Sequence, residues 1–127
     1  MSQQLGVIAD YTLNAAGNLS TKQFTFVKMS ADYTVTTASA VGDGIIGIQQ
    51  DDLATAAGMG VAIRPIPGGG TSWIKMGAAA AVGSPITTDA NGLGAVATSG
   101  QRYYGRLLQA STAAGDIVEM ALMNGTV

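Results

Sequence analysis

The chain reads as an all-β protein, a small β-barrel or sandwich assembled from two similar β units. Three observations carry this expectation. Apolar and β-branched residues come in short runs of about 4–8, the length of strands rather than helices. Gly, Pro, Asn and Asp bound those runs. One phrase is also written twice, "ATAAGMGVAI" at positions 54–63 and "STAAGDIVEMAL" at 111–122.

The first 20 residues hold an apolar patch at Leu5, Val7 and Ile8 and then turn polar. They read either as a first strand or as an extended arm reaching onto a neighbour. From residue 21 a single β domain is expected to run to residue 127. "KQFTFVKM" (22–29) places Phe24 and Phe26 on one face and Thr25 and Val27 on the other. "YTVTT" (33–37) is β-branched and aromatic. "GIIGIQQ" (44–50), "GVAIRPI" (60–66) and "SWIKM" (72–76) follow, then "SPITT", "LGAVAT", "RYYGRLLQ" and "DIVEMALM".

Turn chemistry separates these runs. "IPGGGTSW" joins two of them through three glycines, and Asn91-Gly92 is a strong hairpin signal. Pro65, Pro67 and Pro85 sit at strand edges or beside turns, where a missing N–H is harmless. Helix is the weaker reading throughout. "DDLATAAGM" has room for one turn capped by Asp51 or Asp52, and "GAAAAVG" is too short to be stable alone, so it reads as a connector.

Composition narrows function by exclusion. At 127 residues the chain supports one modest core. Charged residues make up 11%, the formal net charge is −2 and mean hydropathy is +0.30. No apolar run approaches the roughly 20 residues of a membrane-spanning helix, and "MSQQLGVIAD" lacks the pattern of a secretory signal. A surface with so little charge exposes broad neutral area, which marks a protein that assembles with partners. With no Cys, disulfides and thiolate chemistry are excluded; with no His, so is the usual general base. The six basic residues, Lys22, Lys28, Arg64, Lys75, Arg102 and Arg106, are scattered singly, so no nucleic-acid partner is expected.

Local candidates resolve toward structure. Asp51-Asp52 lacks the spacing of a calcium loop and reads as a solvated turn or cap. "PGGGTS" lacks the Lys that a phosphate loop requires and reads as a hairpin tip. Glu119 lies mid-strand in an alternating run, as expected of a solvent-facing or ion-paired residue. No catalytic, cofactor or metal residue is assigned, and an enzyme is not expected. Trp73, Tyr103 and Tyr104 are the large amphipathic side chains, suited to a core or to an interface. Arg102 and Arg106 share strand parity with Tyr104, giving a polar face suited to hydrogen bonds between subunits. The candidate interface set is therefore Leu5, Val7, Ile8, Trp73, Tyr104, Arg102 and Arg106.

The repeat carries a resemblance. "GIIGIQQDDLATAAGMGVAI" (44–63) and "RYYGRLLQASTAAGDIVEMAL" (102–122) each place a strand with a central Gly (Gly47, Gly105) before a neutral linker ending in "TAAG" and a second strand. Between them, Gly77, Val82, Gly83, Ile86, Asp89 and Gly92 fit "G-x-A-x-x-V-G-x-x-(I/V)-x-x-D-x-x-G", and Gly115-Asp116 opens the last strand. Over residues 40–125 this grammar resembles the capsid decoration, or cement, proteins of tailed bacteriophages. The resemblance implies a structural virion protein, made in the host cytoplasm and placed on the outer capsid surface. It implies the major capsid protein and further copies of itself as partners, commonly as a homotrimer with a dimer as the alternative, and neither cofactor nor membrane. A carbohydrate-binding or host-adhesion module of a head or tail appendage is the rival reading, and a self-assembling accessory domain a further one.

Overall fold

Strand boundaries follow the turn residues closely. The structure, a computed structural model, describes residues 10–66 and 70–127, with no helix among them. The strands are β1 (Tyr11–Ala15), β2 (Phe26–Ala31), β3 (Thr34–Thr37), β4 (Ile45–Gln49), β5 (Gly60–Pro65), β6 (Thr71–Lys75), β7 (Pro85–Thr88), β8 (Gly94–Val96), β9 (Arg102–Leu107) and β10 (Ile117–Thr126). The all-β expectation holds. Residues 11–15 of the N-terminal stretch form a barrel strand, while Leu5, Val7 and Ile8 lie outside the described residues.

Connectivity exposes a duplication larger than the repeated phrase. β1 to β5 close a barrel whose neighbours run β1-β5-β4-β2-β3, with β3 returning to β1 in parallel. β6 to β10 form a second sheet in the order β6-β10-β9-β7-β8, the same permutation shifted by five. Irregular hydrogen bonds repeat as well. In the first half Ala15 N–H donates to Met59 O and Gly58 N–H to Ala15 O; in the second, Met76 N–H donates to Asp116 O and Gly115 N–H to Met76 O. Ala38 N–H to Phe26 O is matched by Ala97 N–H to Pro85 O. The duplication thus spans both halves, well beyond residues 44–63 and 102–122.

The central glycines explain why one phrase stayed visible. A Cβ on Gly47 would collide with the Arg64 carbonyl and the Ile63 side chain, and one on Gly105 would lie 2.6 Å from the Ala121 carbonyl. Both strands press backbone against backbone at that point, so both halves keep glycine.

The halves differ at one seam. In the first, Asn14 N–H donates to Tyr33 O (2.7 Å) and Ala16 N–H to Val35 O (2.9 Å), zipping β1 to β3. In the second, the matching closure shrinks to a bridge between Met76 and Gly94. The Phe24–Phe26 segment of the first half occupies the gap: Lys75 N–H donates to Phe24 O and Phe26 N–H to Gly92 O, both at 2.9 Å. One half is closed and the other is completed by its neighbour.

Packing follows from that asymmetry. Ala15, Leu19, Val27, Val35, Ala54, Val61 and Ile63, all from the first half, fill the barrel interior. A second cluster joins Phe26, Ala38, Ile48 and Ile66 on the barrel's outer wall to Ile74, Met76, Ile86, Tyr104, Leu107, Val118, Met120 and Leu122. The sequence suggests a single shared core. Two are present, because strands of the closed barrel alternate inward and outward and both faces are buried, as at Val27 and Phe26. Phe26 is wholly buried with its ring 5.7 Å from that of Tyr104, and its removal from water stabilises the junction by roughly 2–3 kcal/mol.

Candidate functional site

Alternation along β6, β10 and β9 turns Ser72, Ile74, Val118, Met120 and Leu107 inward and presents their neighbours outward. Register then assembles an outer face. Trp73 lies opposite Glu119, and Leu108 N–H donates to the Glu119 carbonyl from the far side, so Trp73, Glu119 and Leu108 form one row. Ile117 opposite Lys75 makes the next row, and Ala121 between Thr71 and Arg106 the third. Trp73 (46% exposed), Leu108 (51%) and Ile117 (46%) are therefore contiguous on the surface of three adjacent strands.

Arg106 is held in place on this face. Its guanidinium lies 4.9 Å above the centre of the Tyr103 ring and donates to Gly83 O at 3.0 Å. The ring in turn covers Gly125, where any Cβ would strike it. Among the described residues the ion pairs are Lys28–Asp43 (3.2 Å) and Arg64–Asp10 (2.9 Å). Glu119, Lys75 and Arg106 thus have no ion-pair partner among those residues.

The sequence-derived set divides accordingly. Trp73 and Arg106 share the outer face on either side of β10, and Arg102 lies beyond them, exposed at the far end of β9 opposite Thr126. Tyr104 is a core residue, 2% exposed, so it lines no surface of the chain; its hydroxyl donates to Asp43 O at 3.4 Å, and burial raises its pKa. Parity fails because Tyr104 and Gly105 are buried consecutively. The register of β9 against β10 shifts there, with Leu122 opposite Gly105 but Gly125 opposite Tyr103, a bulge in β10 that resets which side of β9 faces inward. Leu108 and Ile117 were legible as members of alternating strands, but nothing local distinguished their face from the buried one.

A second feature is a strained turn. Between β2 and β3, Tyr33 adopts φ +53° with its side chain 76% exposed, beside exposed Met29. At the matching place in the second half stands Gly92, φ +78°, packed against Thr37 and the Phe26 carbonyl. The left-handed region costs a bulky residue about 1–2 kcal/mol, and an exposed ring returns little of that within the chain. Phe24, φ +63°, likewise stands where the second half has Gly83, φ +82°, and this angle interrupts the N-terminal part of the expected strand 22–29, so that β2 starts at Phe26 and runs to Ala31.

The acidic residues serve loops. Asp43 accepts from the Ser39 and Ala40 N–H groups, and Asp116 from the N–H and hydroxyl of Thr112 and from Ala113 N–H. The Ser39 N–H, then the Lys28 ammonium and Ala40 N–H, hold Asp43 below the usual carboxylate range; the Thr112 groups and Ala113 N–H do so for Asp116. Asp51 caps no helix; it accepts from Ala62 N–H at 3.3 Å on β5. Among the described residues no group of three or more acidic, His or Cys side chains converges as a metal site would need.

No protein family and no curated protein sequence matches the chain. Among solved structures, its fold is similar to that of the head fiber gp8.5 N base in bacteriophage phi29, with a TM-score of 0.65 at 14% sequence identity, over 89% of this chain and 92% of that one.

Proposed function

We propose that this protein is a structural component of a tailed-phage head, a decoration protein that binds the outer surface of the shell and bridges major capsid subunits. The observation that carries the reading is the fold correspondence with a head fiber base over nearly the full length of both chains. The composition supports it: a chain with 11% charged residues suits neutral protein surfaces and not the phosphates of packaged DNA. The mechanism is mechanical, with stabilisation arising from one rigid body touching two neighbours. Each contact can be modest, since the second forms at high effective concentration once the first is made.

The exposed Tyr33 turn is the contact assigned to the shell. Its strain is retained on the surface, where a bound partner can use the ring as a pre-positioned anchor of low conformational entropy.

Coating heads that lack the protein tests this reading. The protein should co-sediment with expanded heads and raise the temperature at which they release DNA, and Tyr33→Gly should weaken binding at least about tenfold while remaining folded. Coated and bare heads releasing DNA at one temperature would end the proposal.

A further inference from the structure

The duplication supplies an internal comparison. Two halves with the same connectivity show which surface residues the fold itself demands. Where the second half has Trp73, Ile117 and Leu108, the hydrogen-bond correspondence places Thr12, Gly60 and Gln50 in the first. The same strands, in the same register, form with small or polar residues at all three positions. The large apolar groups of the second half therefore answer to something outside the fold, and they occur together.

We propose that this outer face of β6, β10 and β9 packs against the same face of a second copy of the chain, around a two-fold axis. This goes beyond the head-binding reading, which gives the face no occupant. Charge selects a second copy as the partner. Glu119 stands in the centre of the patch, flanked by Lys75 diagonally on one side and Arg106 diagonally on the other, with none of them in an ion pair among the described residues. A two-fold axis between Glu119 and Arg106 brings each Glu119 to the Arg106 of the other copy, twice over. One surface thus carries both members of a reciprocal pair, as an isologous contact requires. Arg106 is already oriented by Tyr103 and Gly83, so little side-chain freedom is lost on pairing.

Size sets the strength. Three strands and five residues give a face roughly 14 Å wide and 17 Å long, below the roughly 800 Å² per partner of a standard stable interface. The association is therefore reversible and depends on concentration.

Sedimentation of the full chain from about 1 to 200 µM, without phage heads, decides the matter. Wild type should shift from monomer to dimer over that range. Trp73→Thr with Leu108→Gln, the residues of the first half at those places, should stay monomeric with unchanged far-ultraviolet dichroism. Glu119→Arg and Arg106→Glu should each weaken association at least about tenfold, and the two reversals combined in one chain should restore it. A wild type that remains monomeric throughout overturns the inference. So does a dimer that survives the Trp73/Leu108 change, or a combined reversal that fails to restore pairing, which would assign the face to a different protein. If the Trp73/Leu108 variant loses its fold, the charge reversals decide alone. Because no head is present, failure here is separate from failure of the capsid-binding reading.

Discussion

Single residues carry the largest local strains, and the duplication says which are removable. Gly47 and Gly105 are fixed by the carbonyls of Arg64 and Ala121 across the ladder, so Gly105→Ala must push Met120 or the β10 backbone aside. We expect Gly105→Ala to lower stability by about 2–3 kcal/mol in denaturant unfolding. Tyr33 is the opposite case. Its φ suits glycine and its ring is mostly exposed, so Tyr33→Gly should leave stability within about 1 kcal/mol of wild type. These two glycine sites differ in legibility. The sequence places Gly47 and Gly105 at the centres of two similar strands, which is how the repeat became visible. The left-handed angles of Phe24 and Tyr33 were hidden, because glycine marks those positions in the second half alone.

At the scale of elements, two loops are tied by a carboxylate that gathers the N–H groups three and four residues before it. Asp43 and Asp116 both have lowered pKa values, so the stabilisation they give is present above the ordinary aspartate pKa and is lost as pH falls through their lower folded values. Melting temperature should therefore be flat near neutrality and fall below roughly pH 4. The Asp43→Asn/Asp116→Asn double variant should melt lower at neutral pH and show a shallower acid decline. An unchanged acid slope would remove these carboxylates from the account. The nine runs read as strands from the sequence all contain or overlap an observed strand, since turn residues and alternation act locally. Pairing order was not legible, and neither was the bulge that buries Tyr104, because both depend on which strand lies alongside. The Trp73, Ile117 and Leu108 patch was invisible for the same reason: it exists only once β6, β10 and β9 are side by side.

For the whole molecule, the shared cluster ties the stability of the later sheet to that of the barrel. Phe26 belongs to a first-half strand yet packs with Tyr104 and the second-half core. Thermal unfolding should appear as one calorimetric transition, and Phe26→Ala should cost about 3–5 kcal/mol. Two resolved transitions would show the halves to be separable. The seam adds a temporal consequence. The barrel interior is built from residues 15–63 and zipped by its own β1–β3 closure, whereas the later sheet takes its missing edge from Phe24–Phe26. As the polypeptide leaves the ribosome, the earlier portion can assemble before the later portion exists and then serve as its template, so synthesis in this direction delivers the scaffold before the part that needs it.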